Sequence, residues 1–121
     1  MQISNRKINK NLEAQLTKML VGLLTEVSSA GQLEEILRDL LSETEFVAIT
    51  KRLGIAIYLD KGRSYEDIKN NLKVSSATIA SVAESMGNPG MVESIKRVKA
   101  EEWANSWTLK ISKGIKKVLP I

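Results

Sequence analysis

The chain has 121 residues and a formal net charge of +4; 43% of it is hydrophobic, 4% is aromatic, and it contains neither Cys nor His. That length fits one domain with a real core, and the balance of residue types favours helices over a β-sandwich. The missing residue types exclude disulfides, zinc–thiolate sites and thiol nucleophiles, together with the commonest metal ligand and the commonest general base at neutral pH.

The charge is uneven along the chain. Residues 1–91 hold 11 Lys/Arg and 11 Asp/Glu, which cancel, whereas residues 92–121 hold seven against three and so carry the whole +4. The polar start "MQISNRKINKN" has no signal-peptide pattern, and no apolar run approaches membrane-spanning length. A cytoplasmic protein without integral membrane association is expected.

Ile8, Leu12, Leu16, Met19, Leu20, Leu23, Leu24 and Val27 recur at three- and four-residue steps, which predicts a helix over 6–29. Its apolar stripe is too wide for a lone terminal helix and calls for more than one neighbour, a second subunit among them. "SSAGQ" then breaks the pattern, with Gly31 as the expected helix stop. A second helix, 33–41, is expected to bury Leu33, Ile36, Leu37, Leu40 and Leu41. Ser42 and Glu45 have capping-box spacing and open a third helix, 43–60, with Phe46, Ile49, Leu53, Ala56 and Ile57 facing inward. Lys61-Gly62 closes it.

Ser64 with Asp67 repeats the capping arrangement ahead of a short helix, 65–72. Lys73-Val74 is a turn, and Ser75 or Ser76 caps a fifth helix running to Met86. "GNPG" (87–90) marks a break, and a sixth helix over 91–106 presents Val92, Ile95, Val98 and Trp103. In the end segment, Trp107, Leu109 and Ile111 alternate as in a strand, while Trp107, Ile111, Ile115 and Val118 step as in a helix, the preferred reading.

Residues 64–86 have the pattern of a helix-turn-helix. Two short helices crossing steeply must lock their inner faces, and Ile68, Leu72, Val74, Ile79 and Val82 stand at the required offsets. The turn position usually held by Gly is Lys73. A left-handed Lys costs about 1 kcal/mol relative to Gly, so a reshaped turn is expected.

Residues 40–86, "LLSETEFVAITKRLGIAIYLDKGRSYEDIKNNLKVSSATIASVAESM", resemble the Trp repressor superfamily, most nearly its YerC/YecD-type branch. The specific pieces are "LLS-x-x-E" opening a helix, "KR" in its middle, "L-x-KG-x-S" leaving it, then "IKNNL" and "SATIA". The resemblance implies an all-α fold of six or so helices, built as an intertwined homodimer whose N-terminal helices interlock. Its two heads would meet successive major grooves of double-stranded DNA, about 34 Å apart. On this reading residues 1–106 are the helical domain and residues 107–121 a basic extension.

The Trp repressor proper takes L-tryptophan as corepressor. The resemblance puts its helix arginine on Arg52 and its preceding threonine on Ser42. Its second arginine falls on Ser81, and the glycine that leaves room for the indole falls on Val82. Half of the charge clamp is missing, and burying an unmatched carboxylate costs several kcal/mol. Arg52 and Ser42 are therefore expected to be a vestigial effector pocket. Tryptophan is not expected as the effector, no other ligand is implied, and no cofactor is expected.

DNA affinity comes largely from phosphates. Lys69, Lys73 and Arg63, with Lys61 beside them, are the candidate cations; Ser64 and Ser75 add hydroxyls and exposed N–H groups at two helix starts. Ser76, Ala77, Thr78, Ala80 and Ser81 are the candidate base-facing residues. From Ser75 to Ser85 the only charge is Glu84, so direct readout is expected to be modest, with water bridges and DNA shape adding to it. Lys110, Lys113, Lys116 and Lys117 in the tail would reach phosphate, suit an anionic membrane surface or solubilise the end. The function expected is a sequence-specific transcription regulator of repressor type. The alternative is a helical assembly module that keeps the shape without binding DNA. An enzyme is not expected, because no set of residues meets the geometry catalysis needs.

Overall fold

A computed structural model describes the backbone of residues 6–118 and the side chains of residues 6–105. The fold is all-α, as expected: α1 (Lys10–Glu26), α2 (Ala30–Leu40), α3 (Glu43–Asp60), α4 (Tyr65–Leu72), α5 (Ser76–Glu84) and α6 (Pro89–Val118), with no strand among the described residues. The chain forms two compact units, residues 1–48 and 49–121, and the division falls inside α3.

In the first unit α1 is shorter than its apolar pattern suggests. Asn9 caps it, accepting from the Asn11 N–H at 2.7 Å, and Val27 is already extended. Gly31 is not a stop. It lies in the first turn of α2, whose start is set by Ser29 accepting from the Gln32 N–H at 3.3 Å. A side-chain cap fixes this boundary, and the glycine follows it. The capping box forms as expected: Ser42 Oγ accepts from the Glu45 N–H at 3.1 Å, and Glu45 Oε1 accepts from the Ser42 N–H at 2.7 Å. Arg38 pairs with Glu34 at 2.8 Å and lies 4.2 Å over the Phe46 ring.

No residue of α1 or α2 is buried. Leu12, Leu16 and Leu20 are each 46–47% exposed, and Met19 is 68% exposed. On α2, Leu33, Ile36 and Leu37 are half-buried, whereas Leu40, expected inside, is exposed.

The second unit holds the core. Ile55, Ala56, Ile68, Ile79 and Val82 are wholly buried, Ile57 and Ile95 nearly so, with Tyr58, Leu59, Leu72, Val74, Met86, Met91 and Val98 packed around them. Ile49 and Leu53, expected inside, are exposed, and Ile55 takes the inner position instead. The run "GIAIYL" is apolar on every side of the helix, so spacing alone does not say which side faces the core.

Pro89 does not break the chain but opens α6, where a missing N–H goes unused. The interruption is only Ser85–Asn88. The backbone beyond Trp107 continues α6 to Val118, in line with the helical reading of the tail. Of the apolar positions of α6, Ile95 is buried and Val98 half-buried, while Val92 and Trp103 are exposed. Lys61–Glu102 at 3.3 Å and Lys99–Asp60 at 3.0 Å pair the end of α3 with α6. Being exposed, each contributes no more than about 1 kcal/mol.

Candidate nucleic-acid interface

α4, the turn and α5 form the helix-turn-helix. Ser64 caps α4 by accepting from the Asp67 N–H at 3.1 Å, and Ser75 caps α5 by accepting from the Thr78 N–H at 3.1 Å. Of the five locking positions, Ile68, Ile79 and Val82 are wholly buried, and Leu72 and Val74 pack against them. Full burial of one such side chain contributes about 1.5–3 kcal/mol, so α4 and α5 are held by packing as well as by the chain joining them.

The turn is not reshaped. Lys73 adopts the left-handed conformation, φ 55° and ψ 55°, and its N–H donates to the Lys69 carbonyl at 2.9 Å. This is the only non-glycine with positive φ among the described residues. α3 approaches the same corner closely: a Cβ on Gly54 would stand 3.4 Å from Leu72 Cδ1. One turn earlier on α3, the half-buried Lys51 extends its ammonium to the Lys73 carbonyl at 3.2 Å.

Ser76, Ala77, Thr78, Ala80 and Ser81 are all exposed, opposite the buried Ile79 and Val82. The outer face of α5 is thus a surface of small and hydroxyl side chains without Lys or Arg, its single charge being the exposed Glu84 at its C-terminal end. The Ser75 and Thr78 hydroxyls lie 2.9 Å apart and bond each other, so the Thr78 hydroxyl is already engaged. Lys69 and Lys73 are exposed, and no acid among the described residues pairs with either.

Arg63 is situated differently. Asp67 Oδ2 accepts from its Nη1 at 2.7 Å, and the guanidinium lies 4.9 Å over the Tyr58 ring. The hydrogen bond and charge of Asp67 raise its pKa above the ordinary value. Asp67 is itself held by Asn71 at 2.7 Å. Arg63 belongs to a local network and is less available to a phosphate than the two lysines. Lys61 is likewise engaged, by Glu102.

Of the pocket candidates, Arg52 is exposed on α3, and Ser42 is engaged in the capping box of the other unit. Lys110, Lys113, Lys116 and Lys117 have side chains outside the described residues.

Among the described residues, an open hollow of about 800 Å³ is lined by α1, through Lys10, Glu13, Ala14, Thr17, Lys18 and Val21. The described part of its wall has no buried polar group to orient a small ligand, and it contains none of the candidate residues. No group of three carboxylates or other metal-binding side chains comes together among the described residues. No described helix is long and apolar enough to cross a membrane. Lys51 is the feature that sequence reasoning missed. "KR" was legible as a motif, but a bond to a backbone carbonyl 22 residues away has no local signal.

A family model described as "Trp repressor protein" matches residues 4–99. No curated protein matches the chain, and no solved structure does.

Proposed function

The chain belongs to the Trp repressor family, and from that premise we propose that it is a homodimeric, sequence-specific transcription regulator that represses by occupying DNA and does not respond to tryptophan. The observation that carries this reading is the outer face of α5, small and hydroxylated with Glu84 at its end as its single charge, beside two exposed lysines, Lys69 and Lys73, that pair with no acid among the described residues. Lysines give sequence-independent phosphate affinity. Ser76, Ala77, Ala80 and Ser81 offer small polar and methyl contacts in a major groove. Thr78 presents its methyl group while its hydroxyl bonds Ser75. Ser64 and Ser75 bring helix starts to the backbone, and Arg63 contributes only on leaving Asp67. The tail lysines 110, 113, 116 and 117 add charge after a nearly neutral first 91 residues. Such a protein works on DNA in the cytoplasm, within the nucleoid.

The exposed leucines of α1 support the dimer: a second copy is an apolar surface of the right length and pattern. Tryptophan is disfavoured by Ser81, which has no charge for a carboxylate, and by Val82, whose isopropyl group is buried in the core. Calorimetric titration with L-tryptophan is expected to give no heat of binding; a micromolar constant would overturn this part.

The test of DNA binding is fluorescence anisotropy on a labelled duplex pool across a salt series, with the parent and the Lys69→Ala/Lys73→Ala variant. A dimer would lose four phosphate contacts in the variant, at about 0.9 each in the slope of log K against log salt, or roughly 3.6. Light scattering should show the dimer unchanged. The bare α5 surface also favours a second reading, a helical assembly module. A parent that binds no duplex at low salt decides for that module.

A further inference from the structure

We infer that Lys51 is a positioning residue for the helix-turn-helix: its ammonium holds the carbonyl of the left-handed turn residue Lys73 and fixes the direction in which α5 leaves α4. Three observations converge. Lys73 carries a side chain in a conformation that favours glycine, at φ 55°. The turn therefore needs support that a glycine turn does not. Its carbonyl lies just past the end of α4, where chain polar groups lack helical partners and the helix dipole presents its negative end. Lys51 Nζ meets that carbonyl at 3.2 Å, as a charged donor from a different helix.

The reach of Lys51 follows from packing. Gly54, three residues on and on the same face of α3, has no side chain to hold the helix off Leu72, the last residue of α4. The close approach of α3 at Gly54 brings the Lys51 stem alongside the turn. No acid among the described residues competes for the ammonium. Lys73 is then divided in role: its carbonyl is held from within, and its exposed side chain remains open to solvent or phosphate.

The functional part of this inference rests on the DNA-binding reading, because the direction of α5 matters when its outer face must fit a groove. The test compares the parent with Lys51→Met, which keeps the stem and removes the donor, and Lys51→Arg, which restores one. The first readout needs no DNA. In NMR spectra of the full chain, the Lys73 carbonyl carbon and the Val74 amide should shift in Lys51→Met and return towards the parent in Lys51→Arg. Amide exchange at the start of α5 should quicken in the Met variant alone.

The second readout is affinity for a labelled duplex selected from a random pool. Lys51→Met should weaken binding by about three- to tenfold, the range of one hydrogen bond, with an unchanged salt slope. Lys51→Arg should stay within about twofold of the parent. An unmoved Lys73 carbonyl signal overturns the brace. A salt slope lower by about one per subunit makes Lys51 a phosphate contact instead. An unchanged affinity despite a moved carbonyl removes the positioning role. A parent without DNA affinity overturns the regulator reading and the functional part of this inference, while the carbonyl signal still decides the brace.

Discussion

The two units of this chain solve the same problem in opposite ways. Residues 49–121 close a core of Ile55, Ala56, Ile57, Ile68, Ile79, Val82 and Ile95 within one chain. Residues 1–48 hold nine leucines against five in residues 49–121, yet α1 and α2 bury no residue at all. An apolar stripe of this width is stable in water only against another apolar surface. The unit with the helix-turn-helix thus closes its core within one chain, whereas in the proposed dimer the apolar face of the other unit would be covered by a second copy. If that dimer forms, folding is linked to assembly and stability depends on concentration.

The contrast breaks most completely on α1. Leu16→Asp with Leu20→Asp would put two carboxylates into the surface proposed to meet a second copy, where each unpaired charge costs several kcal/mol. Light scattering should report loss of the dimer, and concentration-dependent melting should vanish. A double variant that remains dimeric would locate the interface elsewhere. Next in size is the core of the second unit. Ile79→Ala removes part of a wholly buried side chain and should cost about 2–5 kcal/mol in chemical unfolding. The same truncation at Met19, 68% exposed in one chain, should matter only in the dimer. If Met19→Ala destabilises at every concentration alike, the contrast between the units is wrong.

Legibility in the sequence follows the same division. The five locking residues of the helix-turn-helix could be read because short helices with a three-residue connection leave little freedom in which positions meet. The caps at Ser42 and Ser64 could be read, and that of α5 to within one residue (Ser75 or Ser76), because each is a contact between residues three apart. Burial on α3 could not, because "GIAIYL" is apolar on all sides and leaves the inner face to be chosen by packing. Gly31 and Pro89 misled for a related reason: both residue types end helices and also occupy first turns, and the neighbouring cap decides. At the candidate site, exposure of Ser76, Ala77, Ala80 and Ser81 was legible from period alone. The capture of Arg63 by Asp67 and Tyr58 was not, since an ion pair at four-residue spacing depends on the rotamers chosen. The Lys51 bond lay furthest out of reach, being set by how closely α3 approaches the end of α4.

The smallest expected effect sharpens the comparison inside the less self-sufficient unit, where local bonds bear more of the weight. Ser42→Ala removes the hydroxyl that accepts from the Glu45 N–H and should cost about 1 kcal/mol. Its partner adds a pH dependence. The Ser42 N–H, then the Ser42 hydroxyl, holds the Glu45 carboxyl below its ordinary value of 4.5. A carboxyl with a lowered folded pKa favours folding while ionised, so its contribution is fully present above the unfolded pKa and is lost as pH falls through the folded one. Glu45→Gln keeps an acceptor but cannot titrate. Thermal unfolding of the two proteins should therefore differ at pH 7, and the difference should shrink below about pH 4.5. Other carboxylates titrate in both proteins and cancel in the comparison. A gap between them that stays constant down to pH 3 would mean that the charge of Glu45 does not contribute, and that the cap at the start of α3 rests on the Ser42 hydroxyl alone.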